Sequence, residues 1–196
     1  MSVKINKSIK FSVFKFIIIL FVVFWTVFAG VCIYNFCCRK FIYPLGYKQT
    51  VFAYSNLYGL DSALIFSVIK TESSFDKNAI SDAGAKGLMQ ITESTGEYIA
   101  KMRGVKNYDL INPDDNINFG CYYIKYLLMR FNDMEVALCA YNAGQGRVDG
   151  WLNDIRYSRD GKTLYDLPFK ETKDYIVKIK KTFSKYKKLY GNILDK

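Results

Sequence analysis

"DSALIFSVIKTESSFDKNAISDAGAKGLMQI", residues 61–91, is the segment from which the rest of the chain can be read. Asp61 is a good N-cap for a helix over "SALIFSVIKTES". Positions four apart share a helix face, so Leu64, Val68 and Glu72 form one stripe, with Ile65 and Ile69 beside it. A carboxyl group therefore stands on the core-facing side of an apolar helix. Burial disfavours the charged form and raises a carboxyl pKa, and Lys70 lies round the helix, where it compensates poorly. Spacing alone leaves two readings of Glu72 open. It is either a helix-end acid turned to water or an acid held protonated near neutrality, the state that protonation of a leaving oxygen requires. Beyond it, from residue 75 to 87, periodicity vanishes, and Asn78, Ser81, Asp82, Gly84 and Gly87 read as a loop.

The flanking sequence is helical. A first helix is expected over residues 49–58, ending at Gly59, and Thr92 with Glu93 starts another that runs to about Met102, before Gly104. Asn112 and Pro113 open a long helix in which Ile117, Cys121, Ile124, Leu128 and Phe131 mark one buried face. "MEVALCAYNAG" is apolar almost all round and reads as a central helix stopped by Asn142 and Gly144. "GRVDGWL" follows as a short turn or helix. After Pro168 a last helix turns Tyr175, Ile176, Ile179, Phe183, Tyr186 and Tyr190 inward. Its lysines, at 173, 178, 180, 181, 185, 187 and 188, form a solvated face. With three prolines and weak strand-like alternation, the expected fold class is all-α.

Composition removes several chemistries. The 196 residues suit one globular domain plus an appendage. There is no histidine, which excludes Ser-His-Asp and Cys-His arrangements and leaves the five cysteines without company for a zinc site. Neither GxxxxGK[ST] nor GxGxxG occurs. No metal and no cofactor is expected, and acid chemistry by carboxylate is what survives. Cys121 and Cys139 read as small buried thiols, with a disulfide between them left open. Net charge is +10, but residues 1–40 hold six of the 28 basic residues and none of the 18 acids, which leaves +4 for the remainder. No nucleic-acid partner is expected, because no recognisable binding module accompanies that charge.

The appendage is apolar. Residues 16–38 are 23 positions without a charge, about 35 Å of helix, enough to cross a hydrocarbon core of about 30 Å. Lys4, Lys7, Lys10 and Lys15 precede it. The run continues past the small-residue "VFA" that could serve a signal peptidase, which favours an uncleaved signal anchor over a cleaved leader. The expected layout is a basic cytoplasmic N-terminus at 1–15, a transmembrane anchor at 16–38, a connector at 39–47 and an exported domain at 48–196.

Five motifs in order carry a family resemblance: "ESSF" (72–75), "GAKGLMQI" (84–91), "NINFGCYYIKYLL" (116–128), "AYNAGQGRV" (140–148) and "PFKETKDYI" (168–176). Together they resemble the lytic transglycosylase family of the soluble Slt type, with a lysozyme-like α-helical domain. The resemblance implies cleavage of the β-1,4 bond between N-acetylmuramic acid and N-acetylglucosamine in peptidoglycan, leaving 1,6-anhydromuramic ends. It makes Glu72 the single catalytic acid, Ser81 and Gln90 sugar contacts, and Tyr141 and Asn142 cleft residues bonding near the acid. Glu171 would be a second cleft glutamate that contacts substrate or supports structure. Where many members have Met-Pro after "GLMQI", this chain has Thr92-Glu93, so a methionine contact in the cleft is missing.

The partners implied are peptidoglycan glycan strands, the cytoplasmic membrane through the N-terminal helix, and an envelope complex. The expected location is the cell membrane, single-pass, with the domain on the extracytoplasmic side. Two alternatives stand beside this reading: a goose-type lysozyme-like hydrolase, and a non-catalytic cell-wall-binding assembly subunit.

Overall fold

The computed structural model describes residues 7–194, with side chains from residue 11 onward. Lys4 and the side chains of Lys7 and Lys10, part of the basic run before the span, lie outside the described residues. The chain divides into two compact units, Met1–Pro44 and Leu45–Lys196.

The first unit is helix α1 (Lys7–Cys37), continued by a π-helical turn at Cys38–Ile42. It is long and apolar enough to cross a membrane, with a mean hydropathy of 2.9 in its most apolar window and none of that window buried within the protein. This helix has no polar face to turn toward water, and bilayer hydrocarbon is the medium that its side chains match.

The second unit holds α2 (Lys48–Tyr58), α3 (Ser62–Glu72), α4 (Glu93–Arg103), α5 (Pro113–Phe131), α6 (Met134–Ala143), α7 (Gln145–Leu152) and α8 (Lys170–Leu194). Among the described residues there is no β-sheet, only isolated bridges from Lys86 to Ile80 and to Ile91. Capping side chains place the helix starts: Asp61 accepts from Ala63 N–H at 2.8 Å, Asn112 from Asp114 N–H at 2.9 Å, and Asp133 from Val136 N–H at 2.8 Å.

Helix α3 is the centre of the unit. Ile65, Phe66, Val68 and Ile69 are wholly buried. Each contributes roughly 1.5–3 kcal/mol by burial, which outweighs the few tenths lost by placing β-branched residues in a helix. Its principal neighbour is α8, where Tyr186 stacks on Phe66 with centroids 5.6 Å apart. The glutamate that ends α3 is thereby fixed against the second turn of α8.

Three expectations need correction. In α5, Leu128 and Phe131 are only half-buried, whereas Asn116, Phe119, Gly120, Tyr123 and Leu127 are buried. The covered arc is wider than an i, i+4, i+7 stripe because both α2 and α6 pack on this helix. In α8, Phe183 is half-buried and Thr182 takes the buried position. Asn142 does not stop α6 but sits in its last turn, and Gly144, at φ 91°, ends the helix. The disulfide left open is not formed: Cys121 and Cys139 are buried free thiols, and burial pushes their pKa values up, that of Cys139 to about 12.

Candidate active site

One cavity of about 390 Å³ brings together all six residues expected at the site: Glu72, Ser81, Gln90, Tyr141, Asn142 and Glu171. They come from the end of α3, the loop between α3 and α4, the last turns of α6 and the first turn of α8.

The loop is knit by its own backbone. Ile91 and Lys86 exchange both N–H···O bonds, at 3.0 and 2.9 Å, and Gly87 N–H donates to Ala79 O at 2.9 Å. Buried Asn116 of α5 completes it: its Oδ1 accepts from Met89 N–H at 2.7 Å, and its Nδ2 donates to Lys86 O at 2.9 Å and Leu110 O at 2.8 Å. Close approach requires Gly87, where φ is 75° and a Cβ would stand 2.5 Å from both Asn116 Nδ2 and Leu110 O. Ser74, Phe75 and Gln90 take positive φ of 53°, 70° and 49° without being glycine. Backbone strain is thus concentrated on either side of the loop, next to the acid and at the cleft glutamine.

Glu72 is half-buried, and its Oε1 accepts a 2.8 Å hydrogen bond from Tyr175 Oη. Burial pushes its carboxyl up to about 7, against the Tyr175 hydrogen bond and the charge of Lys178, which both favour the carboxylate. Lys178 is the cation that spacing on α3 did not offer; its Nζ donates to Thr71 O at 3.3 Å. A carboxyl titrating there can give a proton and take one back at neutral pH. Asp82 and Glu171, the other carboxyls on the cavity wall, are exposed.

Of the remaining expected residues, Tyr141, Gln90 and Ser81 also bond to the backbone of the loop. Tyr141 Oη donates to Met89 O at 2.7 Å, so the phenol braces the loop; burial and the nearby Glu72 charge hold its pKa well above the usual value. Gln90 Nε2 donates to Gly87 O at 2.9 Å and Ala79 O at 3.1 Å. Ser81 Oγ accepts from Ala85 N–H at 3.1 Å and caps a turn. Glu171 lies in the first turn of α8, where the helix dipole favours it.

Sequence reasoning placed Tyr175 in the core and Asn116 in a helix, but it missed the contact of each with the site. The available signal was buried polarity: a tyrosine or asparagine on an inward face needs a partner. Tyr123, also on the cavity wall, was likewise unassigned. Among the described residues no group of three or more His, Cys, Asp and Glu side chains could hold a metal ion.

Residues 49–164 match the Transglycosylase SLT domain family. The soluble lytic murein transglycosylase of Salmonella typhimurium is 31% identical over 140 residues, covering 68% of this chain and 22% of that protein. The membrane-bound lytic murein transglycosylase C of Actinobacillus succinogenes is 32% identical over 161 residues, 69% of this chain and 45% of that one. This chain therefore spans from about a fifth to under half of the length of these relatives. Among solved structures, an inactive mutant of the lytic transglycosylase Slt from Pseudomonas aeruginosa superimposes with a TM-score of 0.64 at 32% identity, over 74% of this chain and 24% of that one. The 70 kDa soluble lytic transglycosylase of Escherichia coli gives 0.65 at 27% identity, over 74% and 25%. The matched segment contains Glu72, the loop and the α5–α6 wall, and by it this chain belongs to the transglycosylase SLT domain family.

Proposed function

We propose that the protein is a membrane-anchored peptidoglycan lytic transglycosylase that cleaves the β-1,4 bond between N-acetylmuramic acid and N-acetylglucosamine and leaves 1,6-anhydromuramic ends. The observation that carries this reading is Glu72, a carboxyl at the cleft wall raised to about 7 by burial and oriented by Tyr175. Protonated, Glu72 gives its proton to the glycosidic oxygen as the C–O bond breaks. As carboxylate, it then takes the proton from the muramic acid 6-hydroxyl while that oxygen bonds to the anomeric carbon. Glu72 ends as it began, and no water is consumed. Attack from within the same sugar has a high effective concentration, so a second catalytic carboxylate is not required.

Gln90 uses its NH₂ group within the loop, which leaves Oε1 to accept from an N-acetyl N–H. Ser81, Tyr141 and Asn142 line the sugar path, and Glu171 contacts substrate at the rim. The α1 helix holds the protein in the cytoplasmic membrane, with residues 48–196 on the extracytoplasmic side facing the wall and any envelope complex that it serves.

Hydrolysis of the goose-lysozyme kind is the second reading, favoured by exposed Asp82 and Glu171, either of which could activate water. Mass spectrometry of the muropeptides released by the purified full-length chain separates the two. Anhydromuramic ends are expected; reducing ends would overturn the lyase reading in favour of hydrolysis.

A further inference from the structure

Helix α8 carries two rows of lysines that differ in their partners. Lys173, Lys180 and Lys187, seven apart, share one side of the helix, and each is neutralised by an acid of the same domain. Lys173 Nζ pairs with Asp166 Oδ1 at 2.6 Å, Lys180 with Glu135, and Lys187 Nζ with Asp61 Oδ2 at 3.1 Å. Lys181, Lys185 and Lys188, at i, i+4 and i+7, form the second row. Among the described residues none of these three is paired with a carboxylate. No acid occurs from residue 175 to 194, so nothing along the helix offsets them. Like charges four apart destabilise a helix, and the row is kept at that cost to α8.

The second row lies opposite the buried face. Tyr175, Ile179, Tyr186 and Tyr190 are buried, whereas Lys181 and Lys188 are exposed and Lys185 is half-buried. One step further along the row, at i+11, Asn192 lines a cavity of about 360 Å³ together with Lys48, Phe52 and Ile193. Lys48 Nζ stands over the Phe52 ring, 5.5 Å from its centroid, and Ile193 is 40% exposed. The row therefore runs into a pocket where a cation stands beside apolar side chains, at the start of α2. From Arg39, the first charge after the apolar span, to Lys48 are nine residues, at most about 32 Å of fully extended chain.

We propose that Lys48 and the Lys181, Lys185 and Lys188 row of α8 bind the anionic phospholipid surface of the membrane that α1 spans. Charge complementarity and the short tether select this occupant: headgroup phosphates carry the charge that the row lacks, and the tether keeps Lys48 within reach of them. The buried face of α8 carries Tyr175, which bonds to Glu72, so seating the outer face on lipid turns the cleft away from the bilayer and toward the wall. This inference rests on α1 standing in the membrane, and its test separates the two.

Full-length protein is placed in lipid nanodiscs of phosphatidylcholine alone, or of phosphatidylcholine and phosphatidylglycerol in equal parts. Its lysines are acetylated, and each is followed by peptide mass spectrometry. On the anionic discs Lys48, Lys181, Lys185 and Lys188 should react at least about threefold more slowly than on the neutral discs, and the difference should vanish at about 1 M salt, where the Debye length is about 3 Å. Lys101 and Lys106, exposed at the end of α4 and just after it, should react alike on both discs. In the triple variant Lys181→Gln, Lys185→Gln, Lys188→Gln, Lys48 should lose its protection; protection of Lys48 kept in that variant would contradict the part given to the row. Equal reaction of the row on both discs, in protein that stays with the discs, overturns the lipid surface. So does protection that is absent on anionic discs and appears only with soluble polyglycerol phosphate, which assigns the row to an anionic wall polymer. Protein that associates with neither disc overturns the reading of α1 as an anchor, and the inference with it.

Discussion

Tyr175 Oη donates a 2.8 Å hydrogen bond to Glu72 Oε1, joining the last turn of α3 to the second turn of α8. This donor favours the carboxylate, burial favours the acid, and burial prevails, leaving the carboxyl at about 7. In Tyr175→Phe the opposing donor is gone and the Glu72 pKa rises further. The descending limb of the pH–rate profile for wall cleavage should then move to higher pH by about one unit, the equivalent of about 1.4 kcal/mol. A tyrosine that served only packing would lower the rate at every pH and leave the limb in place.

The same shift couples stability to pH. The folded-state pKa of Glu72 is raised from 4.5 to about 7, so the folded protein binds this proton more tightly than the unfolded chain. Its contribution is fully present below about pH 4.5, is lost as pH rises toward 7, and is level above that. Allowing for partial exposure, the loss is about 2–3 kcal/mol. Glu72→Gln should therefore be the more stable protein at about pH 8 in denaturant unfolding, with the gap closing near pH 4. An equal gap at both pH values would contradict the raised pKa.

The loop that carries Ser81 and Gln90 depends on Asn116. Asn116→Ala leaves Met89 N–H and the Leu110 carbonyl without their partner and takes one of two donors from the Lys86 carbonyl, at about 1–3 kcal/mol for each orphaned group that water cannot reach. Unfolding measurements should show a loss of at least about 2 kcal/mol, and wall cleavage should fall with it. Gly87→Ala should cost more than Gly84→Ala. Both glycines have φ of 75°, but only at Gly87 would the new Cβ meet atoms at 2.5 Å, whereas Gly84 has nothing within 4 Å. Equal costs at the two sites would show that strain in φ, and not crowding, is what Gly87 relieves.

These elements also show where sequence is informative. The α3 stripe of Leu64, Val68 and Glu72 was legible because helical spacing is local and burial acts on every residue of the face. Caps at Asp61, Asn112 and Thr92 were legible for the same reason, since each bonds within three residues. Tyr175 lies 103 positions from Glu72, and Asn116 lies 27 from Met89; spacing along one helix carries no information about such pairs. The left-handed Ser74, Phe75 and Gln90 were hidden because a serine, phenylalanine or glutamine gives no sign of positive φ, as glycine does. Family motifs located the cleft residues, but the bonds that Tyr141 and Gln90 make into the loop backbone needed the structure.

The topology has its own test. With α1 spanning the cytoplasmic membrane, the full-length chain should be recovered in washed membranes, and protease added outside intact, wall-stripped cells should digest residues 48–196. Protection of the domain in intact cells, with digestion only after lysis, would place it on the cytoplasmic side and contradict the wall as substrate.

The central claim is that Glu72 performs both proton transfers. It is tested most directly by the rate at which purified full-length protein releases soluble muropeptides from isolated wall, wild type against Glu72→Gln, at about pH 6, where the acid is protonated. Glutamine keeps the shape and cannot donate or accept the proton, so the account predicts a fall of at least about 10²-fold in rate with the fold intact. Release at the wild-type rate by a folded Glu72→Gln protein would contradict it.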